Sequence, residues 1–280
     1  MNNHLRLLAI LLILALNSAS AHEPESTAHY LANEGVMIVH GETKILFDPL
    51  FRISYGQYQM MPKDMEAALF AGEPPFTGID AVFISHYHGD HFSPRDVLNL
   101  LKAQPAIKLY APKQAVEGLR RVATDEESAV FTRVNSLWLQ YKDTPVELKM
   151  DGLQITAVRV PHNGWPQSLL DVENIVYRVT LDDAVTVLHL GDADPNDVHF
   201  ERDAGHWQSR HIDLALPPFW FFSSTYGQDV LNLRLKPTHS VGIHVPTRMP
   251  DNPAERPAEF RGFDLFTKPG ETRLIKHKRP

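Results

Sequence analysis

The sequence predicts an α/β fold arranged as a four-layer αββα sandwich. Two observations carry this expectation. Apolar runs that read as strands are interleaved with helical patterns, and the strand-and-helix order of the first half recurs in the second. The histidines and aspartates of metal-ligand character then fall at the ends of predicted strands, where one rim of such a sandwich gathers them. At 280 residues and 43% hydrophobic composition, the chain is long enough to bury a sizeable core. It is expected to form one domain over residues 22–280.

The elements follow in chain order. His4 and Arg6 give a positive start, Leu7 to Leu16 is unbroken apolar sequence, and Asn17-Ser18-Ala19-Ser20-Ala21 supplies small residues for cleavage. Residues 1–21 therefore read as a signal peptide, too short in its apolar run to remain as a membrane span. Export to a periplasm or beyond is expected, with no stable membrane insertion after cleavage. Residues 36–40 and 44–48 read as a hairpin turning at Gly41-Glu42. Residues 51–78 are mostly loop, with a short helix over 63–70. A buried strand over 79–84 leads into a helix over 94–104. Ser93 is its N-cap, Pro94 its first helical position, and Asp96 closes a capping box. A short strand at 108–110 and a helix at 112–122 complete the first set. The second set has hairpins at 146–150/153–160, around Asp151-Gly152, and at 174–181/184–190, turning at Asp182-Asp183. A buried strand at 212–216 and a helix at 228–235 follow. Pro217 to Gly227 reads as a loop with five aromatics, either a wall beside a site or a segment packed on the second sheet.

The stretch His86-Tyr87-His88-Gly89-Asp90-His91 stands in the loop between the 79–84 strand and the helix that follows. Three imidazoles and a carboxylate are the donor set that a borderline divalent ion such as zinc prefers. They are more donors than one tetrahedral ion takes from a single loop, which points to two ions. Further candidates lie at later strand ends: His162 after 158–161, Asp192 after 185–191 with Asp194 as its near competitor, and His244 or His239 in the segment 236–244. His189 reads as a packed residue. His22, His29, His40, His199, His206, His211 and His277 read as surface or structural.

Ser85-His86-Tyr87-His88-Gly89-Asp90-His91 resembles the signature loop of the metallo-β-lactamase fold metallohydrolases, and the resemblance extends over roughly residues 29–275. It implies that His86, His88 and His162 hold a first metal, that Asp90, His91 and His244 hold a second, and that Asp192 bridges them. It favours His244 over His239. It makes Asp48, in Lys44-Ile45-Leu46-Phe47-Asp48-Pro49, a brace for the ligand loop. The implied chemistry is hydrolysis by a hydroxide bridging two divalent ions, zinc in the first instance or manganese or iron, with Asp90 as ligand and catalytic residue. Asn33-Glu34-Gly35-Val36 and the Asp48 motif are most similar to the lactonase-like and phosphodiesterase-like branch, which includes ascorbate-6-phosphate lactonase. A lactone or phosphodiester is then the expected bond. β-Lactam or thioester hydrolysis, and a non-catalytic metal- or ligand-binding role on the same fold, are the alternatives.

Composition narrows these. There is no cysteine, so disulfides, a lipidated N-terminal cysteine and a cysteine-ligated second metal are excluded. The net charge of −7 becomes −8 without residues 1–21. An acidic chain lacks the basic face a nucleic-acid backbone requires, so a small-molecule substrate is expected. His88 stands where the redox branch of the fold has Glu, which disfavours di-iron electron transfer.

Overall fold

Fourteen strands divide equally between two mixed sheets in the computed structural model, which describes residues 24–277. The predicted signal peptide over 1–21, and His22, lie outside the described residues. In the first sheet, β1 (Ser26–Ala32), β2 (Gly35–His40) and β3 (Thr43–Phe47) run antiparallel. Helix α1 (Lys63–Ala71) follows, then β4 (Ala81–Phe83), α2 (Pro94–Ala103), β5 (Lys108–Pro112), α3 (Lys113–Val122) and β6 (Val134–Leu137). Here β3, β4, β5 and β6 are parallel neighbours, joined by helical crossings rather than tight turns.

The second half repeats the plan. Strands β7 (Val146–Met150), β8 (Leu153–Arg159), β9 (Ile175–Leu181) and β10 (Val185–His189) are antiparallel. Short helices α4 (Val198–Glu201) and α5 (Ala204–Gln208) lead to β11 (Leu214–Leu216), parallel to β10. Helices α6 (Trp220–Ser223) and α7 (Thr225–Asp229) precede β12 (His239–Gly242) and β13 (Asp264–Leu265). The chain closes with β14 (Thr272–Leu274), which returns to pair with β1 in the first sheet.

Strand alternation builds three apolar layers. Val36, Ile38, Ile45, Phe47 and Phe83 face Ile155, Tyr177, Val179 and Val187 between the sheets. The opposite faces, carrying Met37, Leu46, Val82 and Leu109, meet Val97, Leu98 and Leu101 of α2 and Leu119 of α3. On the far side, Val158, Val176, Leu188 and Ala215 meet Phe200, Trp207, Phe221 and Val230. The order helix, sheet, sheet, helix is the predicted αββα sandwich. Among the described residues no helix is long and apolar enough to cross a membrane.

Four local expectations change. Ser93 does sit at the N-cap of α2, but its hydroxyl donates to the Asp96 carboxylate instead of closing a capping box on the backbone. Asp96 also accepts from Arg52 at 2.7 Å, which competes for the carboxylate. The aromatic segment is helical, not a loop: Ser224 caps α7 by accepting from the Gly227 N–H. The helix expected at 228–235 is the end of α7 followed by a π-helical turn, Val230–Leu235, closed by the Lys236 N–H donating to Leu231 O. Strand β1 was hidden in sequence by Ser26, Thr27 and His29, which interrupt its apolar pattern.

Candidate metal centre

The carboxyl ends of β4 and β10, with the loops after β8 and β12, deliver the predicted ligands to one rim. Parallel β4 ends at Phe83, and the chain turns sharply to place His86, His88, Asp90 and His91 before α2 begins. His162 lies three residues beyond β8, where it forms an isolated bridge with Ala193. That bridge brings His162 beside Asp192. Asp192 itself follows Gly191, whose φ of +53° belongs to the left-handed region. A Cβ on Gly191 would lie 2.4 Å from Asn174 Oδ1 and 2.7 Å from Ser85 Cβ. Only glycine fits there, and the close packing aims Asp192 inward. The Asn174 amide secures the corner: its oxygen accepts from the Asp192 N–H at 3.0 Å, and its nitrogen donates to Leu190 O at 3.2 Å and Val160 O at 3.3 Å.

All seven predicted ligands converge, in two groups that share one residue. His86, His88, His162 and Asp192 place donor atoms within 4.8 Å of one another; so do Glu34, His91, Asp192 and His244. Asp192 spans the two. Its Oδ2 is 3.1 Å from His162 Nε2 and 3.9 Å from His86 Nε2. Its Oδ1 is 3.3 Å from His91 Nε2 and 3.4 Å from His244 Nε2. Asp90 Oδ2 joins the second group, 3.3 Å from His244 Nε2 and 3.8 Å from His91 Nε2. In the first group His88 presents Nδ1, 3.0 Å from His86 Nε2.

Hydrogen bonds behind the rings fix which nitrogen faces inward. Asp48 accepts from the Ser85 N–H at 2.7 Å, from the Ser85 hydroxyl, and from His91 Nδ1 at 3.0 Å. Having given its proton to Asp48, the Ser85 hydroxyl accepts from His86 Nδ1 at 3.0 Å. His162 Nδ1 donates to Asn163 O at 2.8 Å. His86, His91 and His162 therefore all turn an Nε2 lone pair toward Asp192. The buried atoms His91 Nε2, His162 Nε2, His244 Nε2 and Asp192 Oδ1 have no hydrogen-bond partner. Leaving four such atoms unsatisfied costs several kcal/mol in total, at about 1–3 kcal/mol each. Coordination of cations by nitrogen and oxygen lone pairs removes that penalty, so the residues present fit divalent metal ions.

The electrostatics agree. Burial pushes the His86 imidazole well below its usual range and lowers His88, which favours the neutral, ligating form. Burial opposes charge on Asp192, but His244, His91 and His162 outweigh it and hold the carboxylate well below its usual range. Burial likewise opposes charge on His91; Asp192, Asp48 and Glu34 outweigh it and raise that imidazole. The pocket thus places a surplus of carboxylate around a ring whose inner nitrogen is unsatisfied.

The competing candidates are accounted for. His239 donates to Asp264 at 2.9 Å, away from the cluster. Asp194 lies 3.4 Å from His199 Nε2 and belongs to neither group. His189 is fully buried, stacked on Phe47 at 4.7 Å, and donates to Glu34 O at 3.1 Å. Of the aromatic segment, Phe221 and Phe222 are buried under the second sheet, whereas Trp220 meets His244 edge-on at 5.3 Å and donates to Ala193 O. Both readings of that segment hold, for different residues. Trp165 packs on His199 at 4.7 Å.

Sequence reasoning missed Glu34 and Asn174. Asn33-Glu34-Gly35 looks like an ordinary polar turn between strands, and Asn174 like a strand edge. The signals available were the Asn33-Glu34 pair set between the apolar runs Leu31-Ala32 and Val36-Met37-Ile38 and its resemblance to the family's register.

A family model described as the beta-lactamase superfamily domain matches residues 43–241. No curated protein matches the chain. Among solved structures, the metallo hydrolase Igni18 of Ignicoccus hospitalis is 17% identical, with 91% of this chain and 100% of that one covered and a TM-score of 0.56. An isothiocyanate hydrolase from Delia radicum gut bacteria is 16% identical, covering 88% and 98%, with a TM-score of 0.53. Yeast PDE1 is 12% identical, covering 91% and 100%, with a TM-score of 0.51. At these identities the likenesses establish the shared fold. With its family match spanning most of the chain and its two sheets ordered as the sandwich requires, this protein belongs to the beta-lactamase superfamily.

Proposed function

We propose that the protein is a dinuclear metal-dependent hydrolase acting on an ester-type bond of a small molecule, with a lactone or phosphodiester as the leading substrate class. The observation that carries this reading is Asp192. One buried carboxylate lies between two donor sets whose inward atoms have no other partner. When bound, a pair of divalent ions supplies Lewis acidity toward the attacked oxygen and lowers the pKa of a water molecule. Zinc suits the imidazole-rich first set, and manganese or iron suits the second.

The chain's own residues do the positioning. His86, His88 and His162 define one position; Asp90, His91 and His244 define the other; Asp192 fixes their separation. Asp90, buried beside His244 with Oδ2 3.3 Å from its Nε2, would both ligate the second position and orient an incoming water. Tyr58 lies edge-on to His244 at 4.2 Å, and Trp220 also meets that ring edge-on. These two rings, with exposed Ile53 and Tyr87 nearby on the loops flanking the ligands, offer an apolar rest for the non-reacting part of a substrate. The names of the solved relatives, a metallo hydrolase, an isothiocyanate hydrolase and a phosphodiesterase, support hydrolysis and leave the bond open. The signal-peptide pattern of residues 1–21 supports a site of action outside the cytoplasm.

The test is a panel of a lactone, a phosphodiester, a thioester and a β-lactam. It is offered to the zinc- or manganese-loaded protein and to its Asp90→Ala variant. Turnover of one class, lost in the variant, supports the reading. Metal bound with no exchangeable water position and no turnover, or silence across the panel without bound metal, would favour a binding role instead.

A further inference from the structure

Glu34 is the least expected charge in the molecule. It sits at the tip of the β1–β2 hairpin, is 0% exposed, and neither carboxylate oxygen has a hydrogen-bond partner. Its nearest polar neighbours are ring nitrogens, His189 Nε2 at 3.6 Å and His91 Nδ1 at 3.7 Å. A buried carboxylate without a partner costs more than almost any other side chain, so something must satisfy it.

The corner cannot move aside. Asn33 has a φ of +46°. Its amide donates to Asp90 O at 2.8 Å, and its carbonyl accepts from the His244 N–H at 3.0 Å. A Cβ on Gly35 would meet Ala32 O at 2.9 Å and Asp48 O at 3.2 Å. The backbone that carries Glu34 is thus tied to the two loops bearing Asp90 and His244. Its carboxylate lies in two groups of donor atoms within 4.8 Å of one another, one with His91, Asp192 and His244 and one with Asp48 and His189; only the first contains residues of the second metal position.

Charge points the same way. Glu34, Asp48, Asp90 and Asp192 are all buried around this group. Among the described residues no lysine or arginine comes within ion-pair distance of any of them; every such contact is with a histidine. Divalent cations at the two positions would offset the negative charge gathered there.

We infer that Glu34 belongs to the second metal position as an additional carboxylate donor, alongside Asp90, His91, Asp192 and His244. This rests on the dinuclear reading above. It makes the two positions chemically unequal: the first is built on three imidazoles and one shared carboxylate, the second on two imidazoles and three carboxylates. The second position then favours harder, oxygen-preferring ions such as Mn²⁺ more than the first does.

The test uses Mn²⁺ titration of the metal-free protein, with free Mn²⁺ followed by electron paramagnetic resonance. In a His88→Ala background only the second position keeps its full donor set. There Glu34→Gln is expected to weaken Mn²⁺ binding by about tenfold or more, on the scale of losing a metal-supporting carboxylate. In a His244→Ala background, which leaves the first position, the same change is expected to alter affinity by less than about twofold. The melting temperature of metal-free Glu34→Gln is expected to equal or exceed that of the metal-free parent, because the amide keeps the shape and removes a carboxyl whose ionised form burial opposes. Equal weakening in both backgrounds, no weakening in either, or a lower melting temperature in the metal-free variant would each overturn the assignment. A parent protein that binds no metal at all would remove the dinuclear reading, and this inference with it.

Discussion

Several of the candidate ligands depend on a residue behind them. Asp48 illustrates the point: one carboxylate orients His91 directly, and His86 through the Ser85 hydroxyl. Asp48→Ala is expected to lower metal affinity by about 10–100-fold, measured by competition with a chromophoric chelator, while the secondary structure persists. Asp90→Ala has a different expected signature. Turnover should fall at least about a hundredfold, since a group that orients the reacting water removes several kcal/mol of barrier. The melting temperature of the metal-free protein should stay close to that of the parent. Near-native activity in that variant would contradict the role given to Asp90. The site's core was legible in the sequence because His86, His88, Asp90 and His91 are contiguous and their strand and helix are strongly patterned. Glu34 and Asn174 were not legible, because their significance comes from partners that only the fold brings to them: His189, 155 residues from Glu34, and for Asn174 three backbone groups 14 to 18 residues away.

At the scale of elements, the strand ends set the geometry. Gly191 closes β10 with a backbone that other residues adopt only under strain, in space already filled by Asn174 and Ser85. Gly191→Ala is expected to destabilise the protein by about 2–4 kcal/mol, combining left-handed strain with overpacking. Urea denaturation checks this; a change below about 1 kcal/mol would show that the corner is looser than drawn. The paired hairpins were readable from alternation and from turns such as Gly41-Glu42 and Asp151-Gly152. The stretch from Trp220 to Gly227 was not. Its aromatic density resembles a loop by composition, yet α6 and α7 form because Phe221 and Phe222 anchor one side under the second sheet while Ser224 restarts the helix. Local propensity did not distinguish these outcomes; tertiary burial did.

Across the whole molecule, the two halves are joined at their edges as well as through the core. Asp264 on β13, in the second sheet, accepts from His239 on β12 and from Arg273 on β14, in the first sheet, at 2.9 to 3.1 Å. Burial opposes its charge, but these partners hold its carboxyl down at about 2. A depressed carboxyl stabilises the fold fully above its unfolded value near 3.9, and that contribution is lost as pH falls toward about 2. For a partly exposed group the amount is about 1–2 kcal/mol. Asp264→Asn should therefore flatten the stability profile between about pH 4 and pH 2, read from melting temperature against pH. The αββα order itself was legible because both halves repeat one pattern, whereas β14, three residues long, has no local signal and is defined by its partner β1.

Metal binding ties these scales together, since ions that bind only the folded chain add to its stability. Each ion present at a hundredfold excess over its Kd contributes about 2.7 kcal/mol, so chelation should lower the melting temperature. The most direct measurement is metal content per chain, by inductively coupled plasma mass spectrometry, of the parent, His88→Ala and His244→Ala proteins after dialysis. Two equivalents in the parent and one in each variant is the predicted result. No metal in the parent, or the same count in all three, would contradict a dinuclear centre divided between these two sets of residues.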